Sequence, residues 1–172
     1  MSVYRVNIIR ALLLLLAQIL IFNFVKITWF SIPFIEVFLY PLIIFLLPLR
    51  TPASAVIILG FVTGLIVDIF QNTPGVHSGA GAFAGFVRPY VINLMVPRGG
   101  YKVNISPTIS AINLRWFLLY AAVMITLHCF AVSLIDIFQF KLVHYILLRT
   151  ILSALISYVV IVITMIVFDP KE

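Results

Sequence analysis

The run WFLLYAAVMITLHCFAVSLI, from Trp116 to Ile135, holds 20 residues without a single charge. A second run, TILSALISYVVIVITMIVF from Thr150 to Phe168, continues uncharged for 19. Neither alternates apolar with polar residues. A barrel strand crosses a bilayer in about 10 alternating residues, whereas a helix needs about 20. A helix also satisfies its own backbone hydrogen bonds where no water is present. Both runs therefore read as transmembrane helices, and the rest of the chain is read outward from them.

Four further spans are expected: about Ile8 to Val25, Ile32 to Leu49, Pro52 to Phe70 and Val76 to Met95. The two quoted runs widen to about Leu114–Leu134 and Tyr145–Phe168. The expected fold class is an all-α membrane protein with six transmembrane helices in one domain, residues 1–172. The second and fourth spans are interrupted, one by Glu36, Pro41 and Pro48, the other by Arg88 and Pro89. The longest connection, about Val96 to Asn113, has no room for a soluble domain. The first span resembles a signal peptide in its basic start, but no small-residue cleavage pattern follows, so it is read as retained.

Composition agrees. Hydrophobic residues make up 64% of the 172, and eleven Lys or Arg face only five Asp or Glu. A soluble domain is nearer one quarter charged, so a soluble enzyme, a secreted disulfide scaffold and a disordered chain are excluded. The lone Cys129 rules out an internal disulfide. With a cytoplasmic N-terminus, the inside holds Arg5, Arg10, Arg50, Arg98, Lys102, Arg115 and Lys171, and the outside only Lys26 and Lys141. That bias places both termini in the cytoplasm. The basic balance is thus a topology signal, and no nucleic-acid partner is expected from residues so scattered.

Polar residues inside spans are functional candidates because each is costly in lipid. The set is Glu36, Asp68, Arg88 and Arg149. Counted at about 1.5 Å per residue, Glu36, Asp68 and Arg149 share a level near the outer surface. Arg149 is expected to pair with Glu36 or Asp68. Arg88 lies roughly 18 Å deeper than the outer surface, a long reach from Asp68. A structural ion pair, a proton or ion path and a partner contact all fit this set. His77, His128 and His144 lack the i, i+4 spacing of a helical metal site, and no metal or cofactor is expected. Neither a nucleophile elbow nor a phosphate loop is present, so no catalytic residue is assigned. Ser153 and Ser157, one turn apart, read as helix packing.

Glycines mark where helices approach closely. Gly60 and Gly64 lie four apart in the third span, as do Gly75 and Gly79, and Gly81 and Gly85, around the fourth. Small residues at this spacing strengthen helix packing in lipid. Gly60, Gly64, Gly79, Gly81 and Gly85 are read as either an internal hairpin seam or a face kept for a partner's helix. The hairpin turn is Asn72-Thr73-Pro74-Gly75. One short echo occurs: Asp68-Ile69-Phe70-Gln71 returns as Asp136-Ile137-Phe138-Gln139.

The segment GFVTGLIVDIFQNTPGVH, Gly60 to His77, continuing to FVRPYV, Phe86 to Val91, resembles the MreD family of rod shape-determining proteins, in its Bacteroidota-like form. Leu47–Pro52, Pro97–Tyr101 and Arg115–Tyr120 are similar too, while Lys102–Ser110 is not matched. The resemblance implies an inner-membrane, non-catalytic protein of the cell-elongation machinery that builds side-wall peptidoglycan. It implies an MreC-like partner, contacts with MreB, a penicillin-binding transpeptidase and RodA, and a fold similar to the substrate-binding components of energy-coupling-factor vitamin transporters. A small-solute transporter component is the alternative, with Glu36, Asp68 and Arg149 lining its pocket.

Overall fold

The computed structural model describes residues 3–29, 32–101, 105–138 and 142–168. Helices dominate: α1 (Val3–Leu20), α2 (Leu42–Phe45), α3 (Ala53–Gln71), α4 (Val76–Leu94), α5 (Leu114–Ile137) and α6 (Val143–Phe168). A two-stranded antiparallel ribbon, β1 (Lys26–Trp29) and β2 (Ile32–Glu36), follows a 3-10 turn at Phe22–Phe24. Three helices, α3, α5 and α6, are long and apolar enough to cross a membrane, and Ile8–Phe24 forms a shorter apolar helix. This pattern suggests a multi-pass membrane protein.

Helix ends lie close to the positions expected for the third to sixth spans. The turn between α3 and α4 has the expected chemistry: Asn72 closes α3 at φ 54° and Gly75 opens α4 at φ 90°. At the start of α5 the Asn113 side chain accepts the Trp116 N–H at 2.8 Å, an N-cap bond.

The second expected span, Ile32 to Leu49, is not a long helix. It begins as β2, runs without regular structure through Val37–Leu39, and ends in the single turn α2. It is nonetheless the centre of the core, with Phe38, Tyr40, Leu42, Ile44 and Phe45 all at most 2% exposed. Irregular backbone is tolerated at membrane depth only when protein surrounds it and meets its polar groups. Here the neighbours do so. Gln18 of α1 accepts from Leu39 N at 2.7 Å and donates to Val37 O at 3.0 Å. Ser153 and Ser157 of α6 accept from Glu36 N and Phe38 N, at 3.1 and 2.9 Å. Below α2, Tyr120 donates to Phe45 O at 3.0 Å and Arg88 donates to Leu47 O. The segment thus runs beside α6 in the same direction, from Arg149 toward Phe168.

Helices α3 and α4 pack on glycine. A Cβ at Gly60 would collide with the Gly81 carbonyl, and one at Gly64 with His77 O. A Cβ at Gly85 would lie 2.8 Å from Ile57 Cα. At Gly79 it would meet the Ile135 side chain of α5 at 3.0 Å. Gly60, Gly64, Gly81 and Gly85 therefore meet across the internal α3–α4 hairpin, one of the two arrangements open for them, while Gly79 faces α5.

Candidate functional site

Buried polar groups form two clusters around the β2–α2 segment. The first is built on Arg149, one and a half turns into α6. Its Nη2 donates to Glu36 Oε2 at 2.8 Å and its Nη1 to Asp136 Oδ2 at 2.5 Å. Arg149 and Glu36 are 2% and 4% exposed at their side chains, whereas Asp136 is 27% exposed. The guanidinium thus ties β2, α5 and α6 together through one planar donor fork. Asp68, the other carboxylate expected near Arg149, goes elsewhere.

Asp68 ends α3 facing the start of α4. Its oxygens accept from the backbone N–H groups of Gly75 (3.2 Å), His77 (2.9 Å) and Ser78 (2.9 Å). The first N–H groups of any helix lack partners within it, and the helix dipole favours an anion there. Thr73 Oγ1 donates to Asp68 Oδ1 at 3.0 Å, and His77 Nδ1 lies 2.9 Å from the same oxygen. One carboxylate therefore closes the α3–α4 turn and fixes the His77 ring. His77 is 1% exposed, and its Nε2 has no hydrogen-bond partner among the described residues.

Tyr40 joins this cluster to α5. Its hydroxyl lies 3.3 Å from His77 O and 3.0 Å from His128 Nε2. Phe38 sets its ring edge-on to both histidines, with centroids 5.7 Å from each. The arrangement fixes the rings and offers no exposed nucleophile. Cys129, next to His128, is 1% exposed. His144 is exposed at the start of α6. Among the described residues no three His, Cys, Asp or Glu side chains group as metal ligands.

Arg88 stands apart from both clusters. It is 2% exposed and serves the carbonyl end of α2, not Asp68. Toward the same end of the bundle, Trp116 Nε1 donates to Met95 O at 2.7 Å and Tyr101 donates to Ile92 O at 2.8 Å. These two aromatics take up the last carbonyls of α4. Burial pushes the Tyr101 phenol pKa above its ordinary value, against a smaller lowering by Trp116.

Two grooves flank α1. One, about 320 Å³, is walled by α1, α2 and the start of α3. The other, about 670 Å³, is walled by α1, the β2–α2 segment and the last turn of α6. Among the described residues both linings are apolar except for Arg10, which belongs to both, and Thr51 or Thr164.

Sequence reasoning named Glu36, Asp68, Arg88 and Arg149. It did not single out Asp136, Gln18, Tyr40 or Arg10 as members of a site. Asp136 had a signal, since it opens the second copy of the Asp-Ile-Phe-Gln echo. Gln18 had one too, as the polar residue in an otherwise apolar run. Ser153 and Ser157, which sequence spacing assigns to helix packing, instead accept from the backbone of Glu36 at the end of β2 and of Phe38 just beyond it.

No known family model matches the chain, and no curated protein or solved structure matches it either.

Proposed function

We propose that the chain is a non-catalytic membrane scaffold of the MreD kind, which holds an MreC-like single-span partner and through it the peptidoglycan-building machinery of the bacterial inner membrane. The observation that carries this reading is how the buried polar groups are spent. Arg149, Glu36, Asp136, Gln18, Ser153 and Ser157 bond one another or the backbone of the β2–α2 segment, and Asp68 bonds the backbone at the start of α4. They stiffen a frame, and among the described residues the two grooves beside α1 are lined mainly by apolar side chains. A solute carrier needs polar groups aimed into an enclosed cavity, so this arrangement favours a scaffold over the transporter-component alternative.

On this reading the chain makes six crossings, as the energy-coupling-factor components do, with one difference. The second crossing is made by the extended segment beside α6. Extended chain rises about 3.3 Å per residue against about 1.5 Å in a helix, so a short stretch suffices. Alternation of sides along α3 to α6, and a cytoplasmic location for both termini, are kept.

The test is co-purification from a membrane extract with an epitope-tagged, MreC-like single-span protein, alongside a binding screen with vitamin-type solutes. A stable complex and no tight solute are expected. Tight binding of a solute with no partner retained would overturn the scaffold reading in favour of the transporter component.

A further inference from the structure

Three exposed arginines stand at the end of the bundle where α4 finishes and α5 begins. Arg50 precedes α3, Arg98 follows α4 and Arg115 is the second residue of α5. They belong to one rim. Trp116 Nε1 donates to Met95 O, which joins the start of α5 to the end of α4. Leu49 N donates to Ile105 O at 3.0 Å, which brings Arg50 to the loop that leads into α5. The described carboxylates are committed elsewhere: Glu36 and Asp136 meet Arg149, and Asp68 meets His77. Asp169 and Glu172 lie outside the described residues. Among the described residues, then, none of the three arginines has an acidic partner.

An arginine just past a helix commonly takes up the helix's last carbonyls. For α4 that work is done by Trp116 and Tyr101, at Met95 O and Ile92 O, so it does not explain Arg98. The same two aromatics mark the level of the rim, because Trp and Tyr gather where head groups meet acyl chains. Exposed Leu94 and Val96 precede Arg98, and exposed Leu114 precedes Arg115. The rim therefore pairs apolar side chains with cationic ones at the depth of the head groups. A phospholipid satisfies both, whereas a water-borne acidic partner meets only the charge. On the orientation expected from the charge bias, this end faces the cytoplasm.

We infer that this rim binds anionic phospholipid, with phosphates on Arg50, Arg98 and Arg115 and acyl chains against Leu94, Val96 and Leu114. A guanidinium presents paired donors to phosphate oxygens. The ammonium of a zwitterionic head cancels part of that attraction, so the rim selects for net negative heads. The inference does not rest on the scaffold reading, because it involves no protein partner.

Native mass spectrometry of the full chain provides the test, from detergent holding equal phosphatidylglycerol and phosphatidylcholine with the same acyl chains. Retained phosphatidylglycerol should exceed phosphatidylcholine by at least about tenfold, since each basic residue near the surface is worth about fivefold. Arg50→Gln, Arg98→Gln and Arg115→Gln should each lower the ratio about two- to fivefold, and the triple variant should bring it close to unity. Replacing all three with lysine should keep most of the preference, because the charge is retained. Leu94→Gln with Leu114→Gln should lower retention of both lipids and leave their ratio unchanged. His144→Gln, at the opposite end of the bundle, should change nothing. Equal retention of the two lipids by the wild type would overturn the inference, as would an unchanged ratio in the triple glutamine variant. Displacement of the lipid by excess inorganic phosphate would make the rim a phosphate site and also overturn it. Tighter binding of a soluble poly-glutamate peptide than of phosphatidylglycerol would do the same, by making it a surface for protein.

Discussion

Replacing Arg149 with methionine keeps the length and apolar stem of the side chain and deletes both ion pairs. The two carboxylates left behind differ in access to water. Glu36, at 4% exposure, stays buried without its counter-charge. Breaking a buried pair in this way costs about 3–5 kcal/mol. Asp136, at 27% exposure, is hydrated instead, and losing its contact costs roughly 0–1 kcal/mol. For a chain of this size each kcal/mol shifts the melting temperature by roughly 2–4 °C, so Arg149→Met, losing both contacts, should lower it by roughly 6–24 °C. Glu36→Gln leaves the guanidinium bonded to Asp136 and retains an acceptor, so its cost should be about 1–3 kcal/mol. Asp136→Asn should be the mildest of the three. The double variant Arg149→Met with Glu36→Gln removes both buried charges, and should cost less than the sum by about 0.5–3 kcal/mol. The assay is thermal unfolding in one detergent, read by the fraction surviving size-exclusion chromatography. Additivity of that pair, or Asp136→Asn as damaging as Arg149→Met, would refute the assignment of Glu36 as the buried partner.

Reporter fusions at the C-terminus and in the Asn72–Gly75 turn should signal opposite sides of the membrane; agreement between them would mean a miscounted crossing. Gly60→Leu and Gly81→Leu each drive a side chain into the facing backbone, and should cost more than about 3 kcal/mol by the same thermal assay, whereas Arg98→Ala on the exposed loop should remain within about 0.5 kcal/mol. Asp68→Asn removes the charge that accepts from three N–H groups of the α4 start, and hydrogen exchange at residues 75–78 should quicken by about tenfold or more. Tyr101 has a folded pKa above its ordinary value near 10, so its contribution is present below that pH and disappears as the pH rises through the folded value. Tyr101→Phe should flatten part of the alkaline loss of stability, and an unchanged alkaline limb would remove Tyr101 as a cause.

The long helices were legible because nothing competes with hydrophobicity over 19 or 20 uncharged residues. The α3–α4 turn was legible because Asn72, Pro74 and Gly75 each carry a backbone preference that the turn requires. The region from Ile32 to Leu49 was not, because a short apolar run has no periodicity that separates a buried strand from a buried helix. Its prolines were the available signal: Pro33, Pro41 and Pro48 each remove a backbone donor that a continuous helix would use. Equal depth proposed both Glu36 and Asp68 for Arg149, and depth alone cannot separate them. The pairing was decided by where β2 brings Glu36, which is a tertiary fact. Asp68 and Asp136 open the same four-residue phrase yet do different things. One faces a following helix across a tight turn and caps it, and the other faces a guanidinium across a helix pair.

Tying the β2–α2 backbone to α6 has a consequence for synthesis. Glu36 N waits for Ser153 Oγ, a partner 117 residues further along the chain. At about 5–20 residues per second, the ribosome delivers that partner roughly 6–25 s later. Each helix can leave the insertion machinery with its own hydrogen bonds already made. The β2–α2 segment cannot, and its bare amides and carbonyls need water or a protective insertase surface until α6 arrives. The last helix out is therefore the one that lets an early segment settle, so a ribosome stalled before residue 153 leaves a membrane-bound chain whose centre is still unassembled.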